Sequence, residues 1–179
     1  LRSDKAWAPK GFVIASNQLA LTQFARARIT AHSYPSLSKT EDASCFAFIG
    51  NNFKISFSKS NGALSSYVWK GQEQVFADLL PHFTRPLTDN DRRGWKADKK
   101  LAPWFHTDLK LKSISAQEEG NNIYKLVTSY GLIKDSAEVR IVYLINGDGV
   151  IKLDYFLKAD TGLPHIPKIG IQLGVNRNF

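Results

Sequence analysis

Apolar and polar residues alternate with a period of two in one segment after another, and turn signals separate the segments. Successive side chains of a strand point to opposite faces, so this pattern selects strands with one buried and one wet face, as antiparallel sheets permit. Phe53, Ile55 and Phe57 alternate with Lys54, Ser56 and Ser58. Ser60-Asn61-Gly62 then turns the chain into a second run over 64–69, which Lys70-Gly71 closes. Asn-Gly between two alternating runs is a strong hairpin signal. Residues 123–130 and 137–145 read as further strands, and Asn146-Gly147-Asp148-Gly149 leads into a run over 150–158. There Ile151, Leu153, Tyr155 and Leu157 share one face while Lys152, Asp154 and Lys158 share the other. In the last run, Ile169, Ile171, Leu173 and Val175 lie opposite Gly170 and Gly174. That run has no closing partner in the sequence, so an unpaired edge with self-association or marginal stability is expected. The predicted fold class is all-β and antiparallel, with no internal repeat and no low-complexity tract.

The 179 residues, 43% of them hydrophobic, supply one sizeable core or one core and part of a neighbour. No stretch of 18 apolar residues is present, and Leu1-Arg2-Ser3-Asp4-Lys5 has neither an initiator Met nor the apolar region of a signal peptide. A soluble segment that begins mid-protein is therefore expected, with no membrane partner. Cys45 is the single cysteine, so no internal disulfide forms, and the compartment stays open between cytoplasm and periplasm. The net charge of +8 is spread over solvated strand faces at Lys54, Lys110, Lys112, Lys125, Lys152 and Lys158. It is dense only around Arg85, Arg92, Arg93, Lys96, Lys99 and Lys100, near Trp95 and Trp104. Basic residues interleaved with aromatics are one pattern of single-strand nucleic-acid binding. The interspersed Asp89, Asp91 and Asp98, and the lack of a nucleic-acid motif, argue against such a partner.

Three parts are expected along the chain. Residues 1–33, with one strand-like run in 7–21, read as the last strands of a preceding sandwich domain. Residues 34–45 read as a polar Ser/Thr-rich linker, and 46–179 as the main sheet domain. Within the latter, residues 80–107 lack alternation and concentrate Pro, Asp, Arg and Trp, as functional loops do. A helix over 98–105 is allowed there, although Pro103 limits it.

In this loop Phe83-Thr84-Arg85-Pro86-Leu87-Thr88-Asp89-Asn90-Asp91, followed by Gly94 and Trp95, resembles the Asp-Asn-Asp signature of the large bacterial β-galactosidases of glycoside hydrolase family two, at the start of their C-terminal small-chain domain. Flanking segments agree in order. Trp7-Ala8-Pro9-Lys10-Gly11-Phe12 with Gln18 and Leu19 is similar to the end of the family's immunoglobulin-like domain, residues 53–69 to its entry hairpin, and 163–173 to its later Leu-Pro-Arg-Ile-Gly strand. The departures are Phe12 where the family commonly has His, His165-Ile166-Pro167-Lys168 in place of the Arg approach, and an Arg92-Arg93 insertion before Gly94.

The resemblance implies a galactose mutarotase-like supersandwich, incomplete at the C-terminus. It places residues 1–33 at the end of the immunoglobulin-like domain and makes 46–179 the N-terminal part of the small-chain domain. The implied parent is a retaining hydrolase of terminal non-reducing β-D-galactose residues in β-D-galactosides. Its two catalytic Glu residues would lie on an upstream (β/α) barrel, and no βα alternation occurs in this chain. The implied partners are that barrel, the β-galactoside and further copies of the parent. The implied cofactors are Mg2+ and, as a further expectation, Na+, bound mainly by other domains, with none in this segment. The chain would supply scaffold, subunit contact and one wall of the sugar site.

A retaining glycosidase needs two carboxyl groups about 5 Å apart that flank the scissile bond. In an extended segment Asp89 and Asp91 would approach each other but would lie on one side of a sugar, and adjacent Arg residues would keep both ionised. The expectation is instead that Asp89, Asn90 and Asp91 cap backbone N–H groups of the loop and that Arg85 grips a carboxylate with both arms of its fork. These four, with Trp95 and Trp104 as flat faces for a sugar, form the candidate substrate-binding set. Ordinary core packing is the competing reading for each Trp, and a stand-alone carbohydrate-binding module is the competing function. His32, His82, His106 and His165 lack metal-ligand spacing, and no Ser-His-Asp or phosphate-binding glycine arrangement can be assembled.

Overall fold

The computed structural model describes residues 2–13 and 33–177. The chain divides into two compact units, Leu1–His32 and Ser33–Phe179. In the first, Lys5 and Ala8 exchange backbone hydrogen bonds of 3.0 and 3.2 Å across a tight turn, and Trp7 meets Phe12 edge-on at 6.1 Å. No strand forms in residues 2–13, and the remainder of the run expected over 7–21 lies outside the described residues.

The second unit is all-β apart from one loop. The chain forms β1 (Ser38–Glu41), β2 (Cys45–Ile49), β3 (Phe53–Ser58), β4 (Leu64–Trp69), β5 (Gln72–Glu73) and β6 (Val75–His82). After the loop come β7 (Lys110–Gly120), β8 (Ile123–Leu132), β9 (Ala137–Asn146) and β10 (Ile151–Ala159), and β11 (Gly170–Val175) returns to the first sheet. That sheet runs β1-β2-β3-β4-β6-β11, with β5 on β4, and the second runs β10-β9-β8-β7; every pairing is antiparallel and neither sheet closes into a barrel.

The two sheets pack face to face through the alternation that selected the strands. Phe53, Ile55 and Phe57 of β3 are buried, and so are Ala137, Val139, Ile141, Tyr143 and Ile145 of β9. Across the interface Phe57 meets Tyr143 at 4.8 Å and Phe48 meets Tyr124 at 5.5 Å between ring centroids. Each fully buried Ile, Leu or Phe stabilises the fold by about 1.5–3 kcal/mol relative to exposure. The inward face of β10 joins this core but stays only half-buried at Ile151, Leu153, Tyr155 and Leu157.

Turn chemistry sets the register. At the β3–β4 turn Gly62 has φ +71°, and Asn61 fixes the bend by accepting from the Ala63 N–H (3.1 Å) and donating to Asp78 (2.7 Å). In the β9–β10 turn Gly147 leaves no room for a side chain, because a Cβ would stand 1.8 Å from the Pro35 carbonyl oxygen.

One expectation is corrected here. The stretch 34–45 is not merely a linker, because Ser38–Glu41 pairs along its whole length with β2 as an edge strand. Its polar sequence reflects an edge that faces water and buries little.

Candidate functional site

The loop between β6 and β7 is built from a π-helical turn (Asn90–Trp95) and two single-turn helices, α1 (Ala97–Lys100) and α2 (Ala102–Phe105). Lys96 separates the π turn from α1 with left-handed angles, φ 56° and ψ 46°. Pro103 is tolerated because it sits in the first turn of α2, where a missing N–H costs no helical bond. Phe83, Ala97, Leu101 and Trp104 are buried and pin both ends of the loop, while Asp89, Asn90, Arg92, Arg93, Gly94, Trp95 and Lys96 are exposed at its tip.

Arg85 and Asp91 lock that tip. The guanidinium donates to both carboxylate oxygens of Asp91, at 2.8 and 3.1 Å, in the bidentate arrangement expected from the sequence. Asp91 also accepts from the Thr88 N–H at 2.9 Å and the Thr88 hydroxyl at 3.0 Å. Arg85, and after it Thr88, hold the Asp91 carboxyl far below the usual carboxylate range. Thr88 is the member of this lock that sequence reasoning left without a role; its position three residues before an acceptor Asp was the available signal.

The rest of the predicted set separates. Asp89 has helical angles, φ −59° and ψ −37°, so the extended geometry that would align it with Asp91 is absent. Its side chain caps no N–H of the π turn, which corrects the capping role expected of it; the capping falls to Asp91. Asn90 opens the turn with its side chain in solvent. Trp104 is 1% exposed, packs on Phe83 at 5.3 Å and donates its indole N–H to the Pro164 carbonyl at 2.8 Å. It therefore offers no face to a sugar, and core packing is the correct reading for it. Trp95 is 42% exposed, with the Lys100 ammonium over its ring at 6.0 Å.

Asp91 is consumed by three donor groups and stays ionised, so it neither donates a proton nor presents a free oxygen for attack. Among the described residues no three His, Cys, Asp or Glu side chains converge to hold a metal ion. His82 is engaged with Thr84 (3.2 Å) and Lys168 (3.0 Å). No helix among the described residues is long and apolar enough to cross a membrane.

Two open antiparallel sheets packed face to face, with a braced loop at one end, define residues 33–177 as an all-β sandwich module. Residues 49–179 match the sequence model of the family described as beta galactosidase small chain, and the chain belongs to that family. It is similar to the β-galactosidase of Priestia megaterium (26% identity over 100% of this chain and 17% of that protein). The β-galactosidase of Clostridium acetobutylicum is 27% identical over 97% of this chain and 19% of its own length. That of Lactobacillus delbrueckii subsp. bulgaricus is 29% identical over 100% of this chain and 18% of its own length. The chain thus spans less than a fifth of the length of these curated relatives.

Proposed function

We propose that this chain is a non-catalytic segment of a β-galactosidase that hydrolyses terminal non-reducing β-D-galactose residues with retention. The segment serves as scaffold and subunit contact, and its 83–106 loop walls one side of the sugar site. The observation that carries this reading is the loop itself: an Arg85–Asp91–Thr88 lock, anchored by buried Phe83 and Trp104, presents Trp95, Asp89 and Asn90 to solvent on a braced tip. A wall needs positioned contacts and no proton chemistry, and an Asp that is fully hydrogen-bonded suits that role. On this reading the acid/base and nucleophile reside on a barrel elsewhere in the parent. That remainder would also hold the Mg2+ and Na+.

The chain alone and the full-length parent are assayed on a chromogenic β-galactoside, with Trp95→Ala introduced into the parent. The chain alone is expected to be inactive, and Trp95→Ala is expected to raise KM by about tenfold, the loss of roughly 1.4 kcal/mol of binding. Turnover by the isolated chain, or unchanged kinetics in the variant, sinks the division of labour or the wall respectively. A stand-alone sugar module built on Trp95 and Trp104 together is disfavoured by the burial of Trp104.

A further inference from the structure

The end of the sandwich opposite the loop carries an aromatic groove that the proposed function does not use. Trp69, 38% exposed at the end of β4, stacks on buried Phe53 with 6.3 Å between centroids and 19° between planes. Tyr67 braces the same ring edge-on at 6.5 Å and 85°, and is itself tied down by its hydroxyl, which donates to the Gly149 carbonyl at 2.8 Å. Gly149 adopts φ +83°, and a Cβ there would stand 2.9 Å from the Tyr67 hydroxyl and 3.0 Å from the Phe53 ring. The Trp69 ring is thus held in place before any ligand arrives, with the Lys70 ammonium over it at 6.0 Å.

Two recesses, of about 190 and about 350 Å3, adjoin this platform and share Asn51, Asn52 and Phe53 in their walls. Trp69 and Asp148 line the first, and Lys70 lines the second. The side-chain amides of Asn51 and Asn52 have no hydrogen-bond partner among the described residues. Each therefore offers a donor and an acceptor on the rim of an apolar face.

The geometry points to a binding site for a neutral pyranoside in this groove. A sugar ring combines an apolar C–H face, which matches Trp69, with a rim of hydroxyls that both donate and accept, which matches the two side-chain amides. A lipid would leave the amides unpaired, and Asp148 in one recess with Lys54 and Lys70 in the other gives the groove no single sign of charge that would select an ion. The recesses are open and the first is smaller than typical small-molecule pockets, so affinity in the millimolar range is expected.

The test is NMR of the whole chain uniformly labelled with 15N, titrated with methyl β-D-glucopyranoside and methyl β-D-galactopyranoside up to about 100 mM, far above an expected Kd of about 1–10 mM. The Trp69 indole signal should shift saturably with at least one of them. Trp69→Ala should abolish saturable shifts of the backbone amides of Asn51 and Asn52, whereas Trp95→Ala should leave Kd within about twofold. No saturable shift, persistence of binding in Trp69→Ala, or a response at Trp95 in place of Trp69 overturns the assignment. If the buried Trp104 signal shows that Trp69→Ala has unfolded, the exposed double variant Asn51→Ala, Asn52→Ala replaces it. That variant should weaken binding by about tenfold, and unchanged affinity refutes the site. Because Trp95 serves the wall and Trp69 the groove, either proposal fails without the other.

Discussion

Replacing Trp104 by Ala tests whether this indole is core or ligand platform, because the two roles predict opposite readouts. The ring is 1% exposed, packs against Phe83 at 5.3 Å and satisfies the Pro164 carbonyl at 2.8 Å. Truncating a buried aromatic to Ala costs about 3–5 kcal/mol, and a carbonyl left without its donor moves the cost toward the upper end. Trp104→Phe keeps most of the packing and loses the hydrogen bond, for about 1–3 kcal/mol. With a urea dependence of about 2 kcal/mol per molar, Trp104→Ala lowers the unfolding midpoint by roughly 2 M and Trp104→Phe by about 1 M. The exposed comparator, Trp95→Ala, shifts stability by no more than about 0.5 kcal/mol. Far-UV circular dichroism in urea reads all three without relying on the removed fluorophore. A Trp104→Ala midpoint within about 0.3 M of the unmodified chain would refute the packing argument and return Trp104 to the set of ligand contacts.

The remaining expectations concern charge, close packing and the sheet edge. The folded Asp91 carboxyl titrates well below its unfolded value of about 3.9, so its contribution to stability is present above about pH 4 and is lost as pH falls below that value. Asp91→Asn should therefore show a shallower loss of stability between about pH 4 and pH 2 than the unmodified chain, and equal slopes would count against the lock. In Arg85→Ala the Asp91 carboxyl, followed by 13C NMR, should titrate closer to the ordinary range; an unmoved value would mean that Thr88 alone sets it. Gly147→Ala should destabilise by at least about 1–3 kcal/mol, because its Cβ meets the Pro35 backbone, while Gly94→Ala, with nothing within 4 Å, should be nearly neutral in thermal melts. Finally, β11 ends its sheet with Ile171, Leu173 and Val175 exposed, so the chain should self-associate with rising concentration and Ile171→Lys should reduce this in sedimentation equilibrium.

Alternation made the centre of the fold legible. β3, β9 and β10 carry a period of two, and the structure puts their apolar positions inward. Strands without that signal escaped. In β2, Phe46, Ala47 and Phe48 are all buried in succession, so no period marks it. Asp78 and Pro81 interrupt β6, and β7 is polar along most of its length because much of it faces water. At the loop, a bidentate grip of Arg85 on a carboxylate was legible because the fork geometry of Arg demands one at short range, but the choice of Asp91 over Asp89 was set by the π turn. Trp95 and Trp104 could not be told apart, since both sit among lysines and only Phe83 and Pro164, contributed from elsewhere in the fold, bury one of them. The aromatic groove was illegible for a related reason: residues 51–53, 69 and 147–148 come from three separate turns that only the β3–β4 register and the packing of the two sheets bring together.

That register also decides how the loop and the groove relate. Leu64 at the start of β4 pairs with Leu79 near the end of β6, whereas Trp69 at the end of β4 pairs with Gln72, just before β6 begins. The loop leaves the sheet where β6 ends, and the groove lies where it starts, about 25 Å away for a strand of 8 residues rising about 3.3 Å each. A monosaccharide bound at Trp69 therefore cannot touch Trp95 or the Arg85–Asp91 lock. Any influence of a groove ligand on hydrolysis in a parent enzyme would have to pass through the packed interior shared by Phe53, Phe57 and Tyr143, or arise because both sites hold one long substrate. A monosaccharide that fills the groove should then leave KM for a small chromogenic galactoside unchanged, and a KM that moves with groove occupancy would show that the two ends are coupled.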